Sequence, residues 1–219
     1  MHLHYISSNN SVLNHFLGQI RDVAVQKDTL RFRKNIERIG EIMAYEMSKT
    51  FEYEPIEIQT PLGTKPTSYI KDKIVLCSIL RAGLALHQGF MEIFDAAENG
   101  FVSAYRHHPN HDAHFEIKVE YQAVPSFNDK IVVFIDPMLA TGQSLVAVLQ
   151  KLLQNQNPKE IHIAVAIAAP EGIDFLEENL PKNCHLWVAS LDEKLDDHNY
   201  IVPGLGDAGD LAFGEKTSG

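Results

Sequence analysis

Five consecutive apolar residues, Ile131 to Ile135, stop at an acid and a proline, Asp136 and Pro137. A continuous apolar run of this length suits a strand buried on both faces, as in a parallel sheet covered by helices. Pro137 has no N–H with which to continue a ladder. A turn of small residues follows, through Ala140, Thr141, Gly142, Gln143 and Ser144. Then Leu145, Val146, Val148, Leu149, Leu152 and Leu153 recur at helical spacing. This pattern puts a carboxylate at the carboxyl end of a strand, beside a turn that offers backbone N–H groups, two hydroxyls and a helix N-terminus. A phosphate fits the turn, and ribose hydroxyls fit Asp136. Many strand–loop–helix units with a Thr-Gly turn bind no phosphate, so the motif alone leaves both readings open.

The same unit recurs along the chain. KIVLCSIL, residues 73–80, reads as a buried strand. It runs through Arg81-Ala82-Gly83 into a helix over Leu84 to Ala97. Arg81 is either a surface arginine or an anion ligand. Its place at a strand end beside glycine favours the ligand, because a planar guanidinium can grip a diphosphate through two donors. FVSAYR, residues 101–106, is a third strand and ends in Arg106. The stretch 107–127 carries His107, His108, His111 and His114, but their spacing matches no zinc pattern and no cysteine is near. It reads as a polar, mobile flap, and alternation at Phe115, Ile117, Val119 and Tyr121 gives part of it a β-ribbon. EIHIAVAIAAP, residues 160–170, and CHLWVASL, residues 184–191, supply two more strands. Between them lies a helix framed by Pro170 and Pro181. This alternation predicts an α/β fold: a mostly parallel sheet of about five strands with helices on both faces.

The remaining segments are less constrained. Residues 1–27 are weakly patterned and read as an N-terminal arm. Residues 28–51 read as one helix, capped by Asp28 or Thr29, with Ile36, Ile39, Met43 and Met47 on one face. Arg31, Arg33, Lys34 and Arg38 on that helix form either a solvated face or a contact for a second subunit. Residues 54–70 read as a hairpin that joins the C-terminal loop in a small hood over the strand ends. The 219 residues suit a single domain. A net charge of −10 argues against nucleic acid or an anionic membrane as main partner, and no apolar run is long enough to span a bilayer. Cys77 and Cys184 sit in apolar runs and read as reduced core residues, which fits a cytoplasmic protein.

The tail YIVPGLGDAGDLAFG, residues 200–214, is rich in glycine, with aliphatic and aromatic residues interleaved and acids at Asp207 and Asp210. It reads as a loop whose backbone approaches a ligand closely. Three strings, ILRAGL, DPMLATG and YIVPGLGDAGD, resemble in order the diphosphate loop, the phosphoribosyl diphosphate (PRPP) motif and the base-binding signature of the uracil phosphoribosyltransferases, a branch of the type I phosphoribosyltransferases. The resemblance covers essentially the whole chain. Pro137 stands where most type I relatives carry a second acid, as in the uracil enzymes. Gln143 departs from the usual glycine, which implies a slightly stiffer turn.

The resemblance implies a type I phosphoribosyltransferase fold and the reaction uracil + PRPP → UMP + diphosphate. It implies catalytic roles for Asp136, Arg106 and Asp207. PRPP would be held by Arg81, Arg106, Asp207 and the run Asp136, Pro137, Met138, Leu139, Ala140, Thr141, Gly142, Gln143 and Ser144. Uracil would lie against Ile201, Gly206, Asp207 and Ala208. Mg²⁺ would arrive with PRPP and meet Asp207 through water, with no direct protein ligand. A homodimer is implied, and GTP is a candidate activator. The alternatives are a pyrimidine-responsive RNA-binding regulator on the same fold, or a transferase for another base.

Overall fold

The computed structural model describes residues 1–107 and 116–216, with the backbone alone described over 104–107 and 116–119. The chain begins with β1 (His2–Tyr5), a 3₁₀ turn (Ile6–Ser8), α1 (Leu13–Arg21) and α2 (Thr29–Ser48). A hairpin follows, β2 (Tyr53–Thr60) and β3 (Gly63–Ile70), and then β4 (Ile74–Leu80), α3 (Gly83–Ile93) and β5 (Glu98–His107). Next come β6 (Glu116–Ala123), β7 (Ile131–Ile135), β8 (Met138–Leu139), α4 (Gln143–Leu152) and β9 (Glu160–Ala168). The chain closes with α5 (Pro170–Asn179), β10 (Cys184–Leu191), β11 (Lys194–Leu195), β12 (Ile201–Val202) and α6 (Ala208–Phe213).

The five apolar runs form the centre of the sheet as expected. Its order is β1-β10-β9-β7-β4-β5-β6, and every pair is parallel except β5 with β6. The short β8 also pairs with β9, which makes the sheet 8-stranded rather than about five. Two cores lie on opposite faces. Ile131, Val133 and Ile135 of β7 face α2 and α3, whereas Val132 and Phe134 face α4 and α5. Burial on both faces is why these strands show no polar alternation. α2 and α3 pack closely: a Cβ on Gly89 would lie 2.0 Å from the Glu37 carbonyl oxygen, and one on Gly40 would lie 2.5 Å from that of Leu86. Cys77 and Cys184 are buried and unbridged, and burial pushes their thiols up to about 12 and about 11.

Two expectations need correction. Residues 1–27 do not stand apart as an arm: β1 joins the central sheet beside β10, and Leu13, Leu17 and Ile20 of α1 are buried in the core. Their apolar signal was too short to separate from a loop. The basic face of α2 is largely solvated, in line with the first of its two readings: Arg31, Lys34 and Arg38 are exposed, and Arg33, half-buried, donates from Nη1 to the Ala212 carbonyl at 2.7 Å. Finally, the β2–β3 hairpin does not cover the carboxyl strand ends. Glu52 and Asp72, at its base, pair with Lys159 at 2.9 and 2.7 Å, and Lys159 immediately precedes β9. The hairpin is therefore rooted at the amino end of the sheet, with Leu62 fully exposed at its tip. Alternation identifies a hairpin but not the sheet edge to which its ends are tied.

Candidate active site

The site lies at the carboxyl ends of β4 and β7, neighbours in the sheet, where two strand–turn–helix units open side by side. After β7, Asp136 N–H donates to Ala164 O at 3.2 Å, and Pro137 O accepts from Ala166 and Ile167, so the chain leaves the ladder and rejoins it as β8. Asp136 Oδ1 accepts from Met138 N–H at 3.3 Å. Burial in a site short of polar partners pushes the Asp136 carboxyl up to about 7, against the smaller opposing effect of that bond.

The turn that follows depends on Gly142. Its φ is +76°, and a Cβ there would lie 2.7 Å from Leu176 Cδ1 and 3.1 Å from Gly172 O. Only glycine fits both the left-handed backbone and the space. Gly142 caps α4, and Asp136, Thr141, Gly142 and Ser144 surround a cavity of about 130 Å³. Two residues expected here are not among those that line the cavity. Pro137 is buried outside the cavity lining, and Gln143 is exposed as the first residue of α4. Gln143 is not among the residues with positive φ, so the turn tolerates its side chain without strain.

A larger cavity of about 600 Å³ adjoins the first through Met138 and Ala140, which line both. Arg81, Ile201, Gly206, Asp207 and Ala208 line it, as the sequence led one to expect. Leu80, Ala82, Ser103, His198, Asn199, Tyr200, Gly209 and Lys216 also line it and were not anticipated individually. Tyr200 opens the glycine-rich string and so carried a signal. Ser103, His198, Asn199 and Lys216 carried none, because only the chain's path brings them there.

Arg81 stands between sheet and tail. Its Nη2 donates to Asp210 Oδ1 at 3.3 Å and to Gly214 O at 3.1 Å. Behind it, Gly83 is held against Ser78 and Ile135: a Cβ there would fall 2.4 Å from Ser78 Oγ and 2.8 Å from Ile135 O. The glycine-rich tail is not all loop. Asp207 Oδ1 accepts from Asp210 N–H at 2.9 Å and caps α6, so the second half of the string is a short helix. Asp207 Oδ2 has Lys216 Nζ 4.0 Å away. Arg106 lies near the end of β5, in register with Ile117 of β6, but its side chain lies outside the described residues. So do His108, His111 and His114 of the expected flap. The antiparallel β5–β6 pair matches the expected ribbon, and Phe127 beyond it is buried edge-on against Phe134.

A second set of potential ligands, Glu160, His162 and His185, brings donor atoms within 4.8 Å of one another. Internal hydrogen bonds already use them. Trp187 Nε1–H donates to His162 Nδ1 at 3.0 Å, which leaves His162 Nε2–H to face Glu160 Oε2 at 3.0 Å, while His4 and His185 share a bond of 3.2 Å. Burial, with His185 and His4 alongside, pushes His162 down to about 3, so it stays neutral.

Comparison with known proteins agrees with this geometry. The family model described as uracil phosphoribosyltransferase matches residues 7–215. A uracil phosphoribosyltransferase of Porphyromonas gingivalis is 49% identical over 99% of this chain and 100% of its own length. One of Methanococcus maripaludis is 40% identical over 96% of this chain and 90% of its own. The solved structure of the AQ2163 protein from Aquifex aeolicus superposes with a TM-score of 0.85 at 32% identity, covering 97% of this chain and 98% of that one. With the fold, the order of its motifs and these relatives in agreement, the chain belongs to the uracil phosphoribosyltransferase family.

Proposed function

We propose that the two adjoining cavities hold PRPP and uracil in line for transfer of the phosphoribosyl group, giving UMP and diphosphate. The observation that carries this assignment of roles is that Met138 and Ala140 wall both cavities, so a ligand in the small one extends into the large one. The 5′-phosphate sits on the Thr141 to Ser144 turn, where backbone N–H groups and the start of α4 favour negative charge. The ribose hydroxyls meet Asp136. Diphosphate runs toward Arg81 and Arg106, and uracil lies against Ile201, Gly206 and Ala208.

As diphosphate leaves, ribose C1 gains oxocarbenium character, and uracil N1 bonds to its open face as the N1 proton passes to solvent or to the departing diphosphate. This chain's contribution is to place the two partners and to complement their charges. Asp136 is positioned to offset the cationic ribose. Its carboxyl titrates near neutrality in the free protein, so a developing cation beside it favours the ionised form. Arg81 must exchange its bonds to Asp210 and Gly214 for bonds to diphosphate. Asp207 Oδ2, which has Lys216 Nζ 4.0 Å away, would meet Mg²⁺ through water rather than as a direct ligand. Bound with PRPP, Mg²⁺ would neutralise charge on the leaving diphosphate.

The same reading includes a homodimer in the cytoplasm, with GTP as an activator. Among the described residues no helix is long and apolar enough to cross a membrane. The exposed hairpin, with Tyr53, Leu62 and Tyr69 on its surface, is a further element available for subunit contact. Light scattering should give a dimer mass, and a GTP titration should raise the rate. The deciding experiment is incubation with PRPP, Mg²⁺ and each nucleobase in turn. UMP should form from uracil, and preferential turnover of another base would overturn the substrate assignment.

A further inference from the structure

The first 33 residues do more than pack against the sheet. Three of their side chains end on backbone carbonyls of the C-terminal segment. Arg21 Nη1 donates to Gly204 O at 2.9 Å, Gln26 Nε2 to Leu205 O at 3.1 Å, and Arg33 Nη1 to Ala212 O at 2.7 Å. The Arg21 contact is the most developed. Its Nη1 also donates to Asp192 Oδ2 at 2.7 Å, while Nη2 bonds Asp192 Oδ1 and reaches Ser190 Oγ at 3.1 Å. Asp192 Oδ2 in turn accepts from Gly204 N–H at 2.8 Å. Both backbone polar groups of Gly204 are thus bound by one part-buried ion pair, in which the Asp192 side chain is 3% and the Arg21 side chain 21% exposed.

Gly204 is the tightest point of the loop that lines the large cavity. Its φ is +63°, and a Cβ there would fall 2.1 Å from Ile201 O. The clamp therefore sets the path of the chain from Ile201, whose side chain is buried, to Gly206 and Ala208 at the cavity wall. A base read through main-chain N–H and C=O groups needs that path held closely, because glycine and alanine have no polar side chain with which to compensate. A bidentate fork can hold it, since two donors fix the carboxylate while the fork still reaches the loop carbonyl.

From this geometry we infer that Arg21 and Asp192 are positioning residues for the base, an ion pair that shapes the Ile201 to Ala208 backbone and so governs uracil use separately from PRPP use. The inference rests on the reading of that loop as the base site. Neither residue lines either cavity, so their effect passes through Gly204.

The test separates positioning from stability. Arg21→Met alone leaves Asp192 buried and unpaired and lowers the melting temperature. Arg21→Met with Asp192→Leu removes both charges and should recover much of that stability. The expected result is that the double variant keeps KM for uracil raised by about tenfold or more, with KM for PRPP within about twofold of wild type. Arg21→Lys retains the charge but loses the fork, and should show a smaller rise in the same constant. A uracil KM within about twofold of wild type in both folded variants would overturn the inference, as would an equal rise in both substrate constants. Ile201→Ala is the control for the underlying reading. If it too leaves uracil KM unchanged, the loop is not the base site. If it raises uracil KM while the clamp variants do not, only the clamp fails.

Discussion

The β4–α3 and β7–α4 units share one architecture and present opposite chemistry. They are adjacent parallel strands, Ser78 beside Ile135, and each passes through a glycine into a helix. The β7 unit ends in an acid and opens wide enough to enclose its own cavity, with Gly142 in a left-handed conformation as the cap of α4. The β4 unit ends in an arginine. Its glycine is pressed against Ser78 and Ile135, and Arg81 is tied to the C-terminal segment. An open cavity is thus preformed at one turn, whereas the arginine at the other is tied to the C-terminal segment; in the proposed reading these are the phosphate cradle and the diphosphate ligand. On that reading, preorganisation is concentrated at the constant end of the substrate, and adjustment at the end where charge departs.

Asp136→Asn should produce the largest effect and tests the preformed half. The fold should persist while turnover falls by roughly 10²-fold, the scale of one well-placed electrostatic contact. Wild-type turnover would remove Asp136 from the mechanism. Next, Gly83→Ala should destabilise through its clash with backbone, by about 1–3 kcal/mol. Gly142→Ala should do likewise, with added strain at positive φ. Urea unfolding measures both. If Gly83→Ala is harmless, the contrast between a compressed and an open turn does not hold.

Acid titration sharpens the comparison further. The Asp136 carboxyl is raised from 3.8 to about 7 in the folded protein. Its contribution to stability is therefore greatest below pH 3.8 and is lost as pH rises through about 7. Asp136→Asn should melt higher than wild type at pH 8, with the gap closing toward pH 4. A gap that widens on acidification would contradict the assignment. The smallest effect belongs to the latch. Asp210→Asn weakens a partly exposed pair of 3.3 Å, so KM for PRPP should change by less than about fivefold and the melting temperature hardly at all. A large loss of stability would make the latch a structural tie instead.

The strand–turn–helix rhythm was legible because burial on both faces leaves a run of apolar residues that few other structures need. The strand-end residues Arg81 and Asp136 were legible for the same reason: a charged group that abruptly ends such a run lies at the sheet's rim. The segment 1–27 was not, since β1 is four residues long and its pairing with β10 is nonlocal. Nor was α6 distinguished from a loop, because Gly206 precedes its capping acid, Gly209 lies inside it and Gly214 ends it.

The sequence by itself determined the fold class, the order of the motifs, and that an arginine and an acid would stand at strand ends. It could do so because each motif is local, a strand end with the turn beside it. Only the tertiary structure decided that the hairpin hangs from the amino end of the sheet, that two cavities share Met138 and Ala140, and that Arg21 reaches across 183 positions of chain to Gly204. Those facts depend on contacts between residues distant in the chain, where an arginine fork or a lysine between two acids makes the same local pattern whatever partner it finds. Periodicity records which face of an element is buried, but not which neighbour buries it.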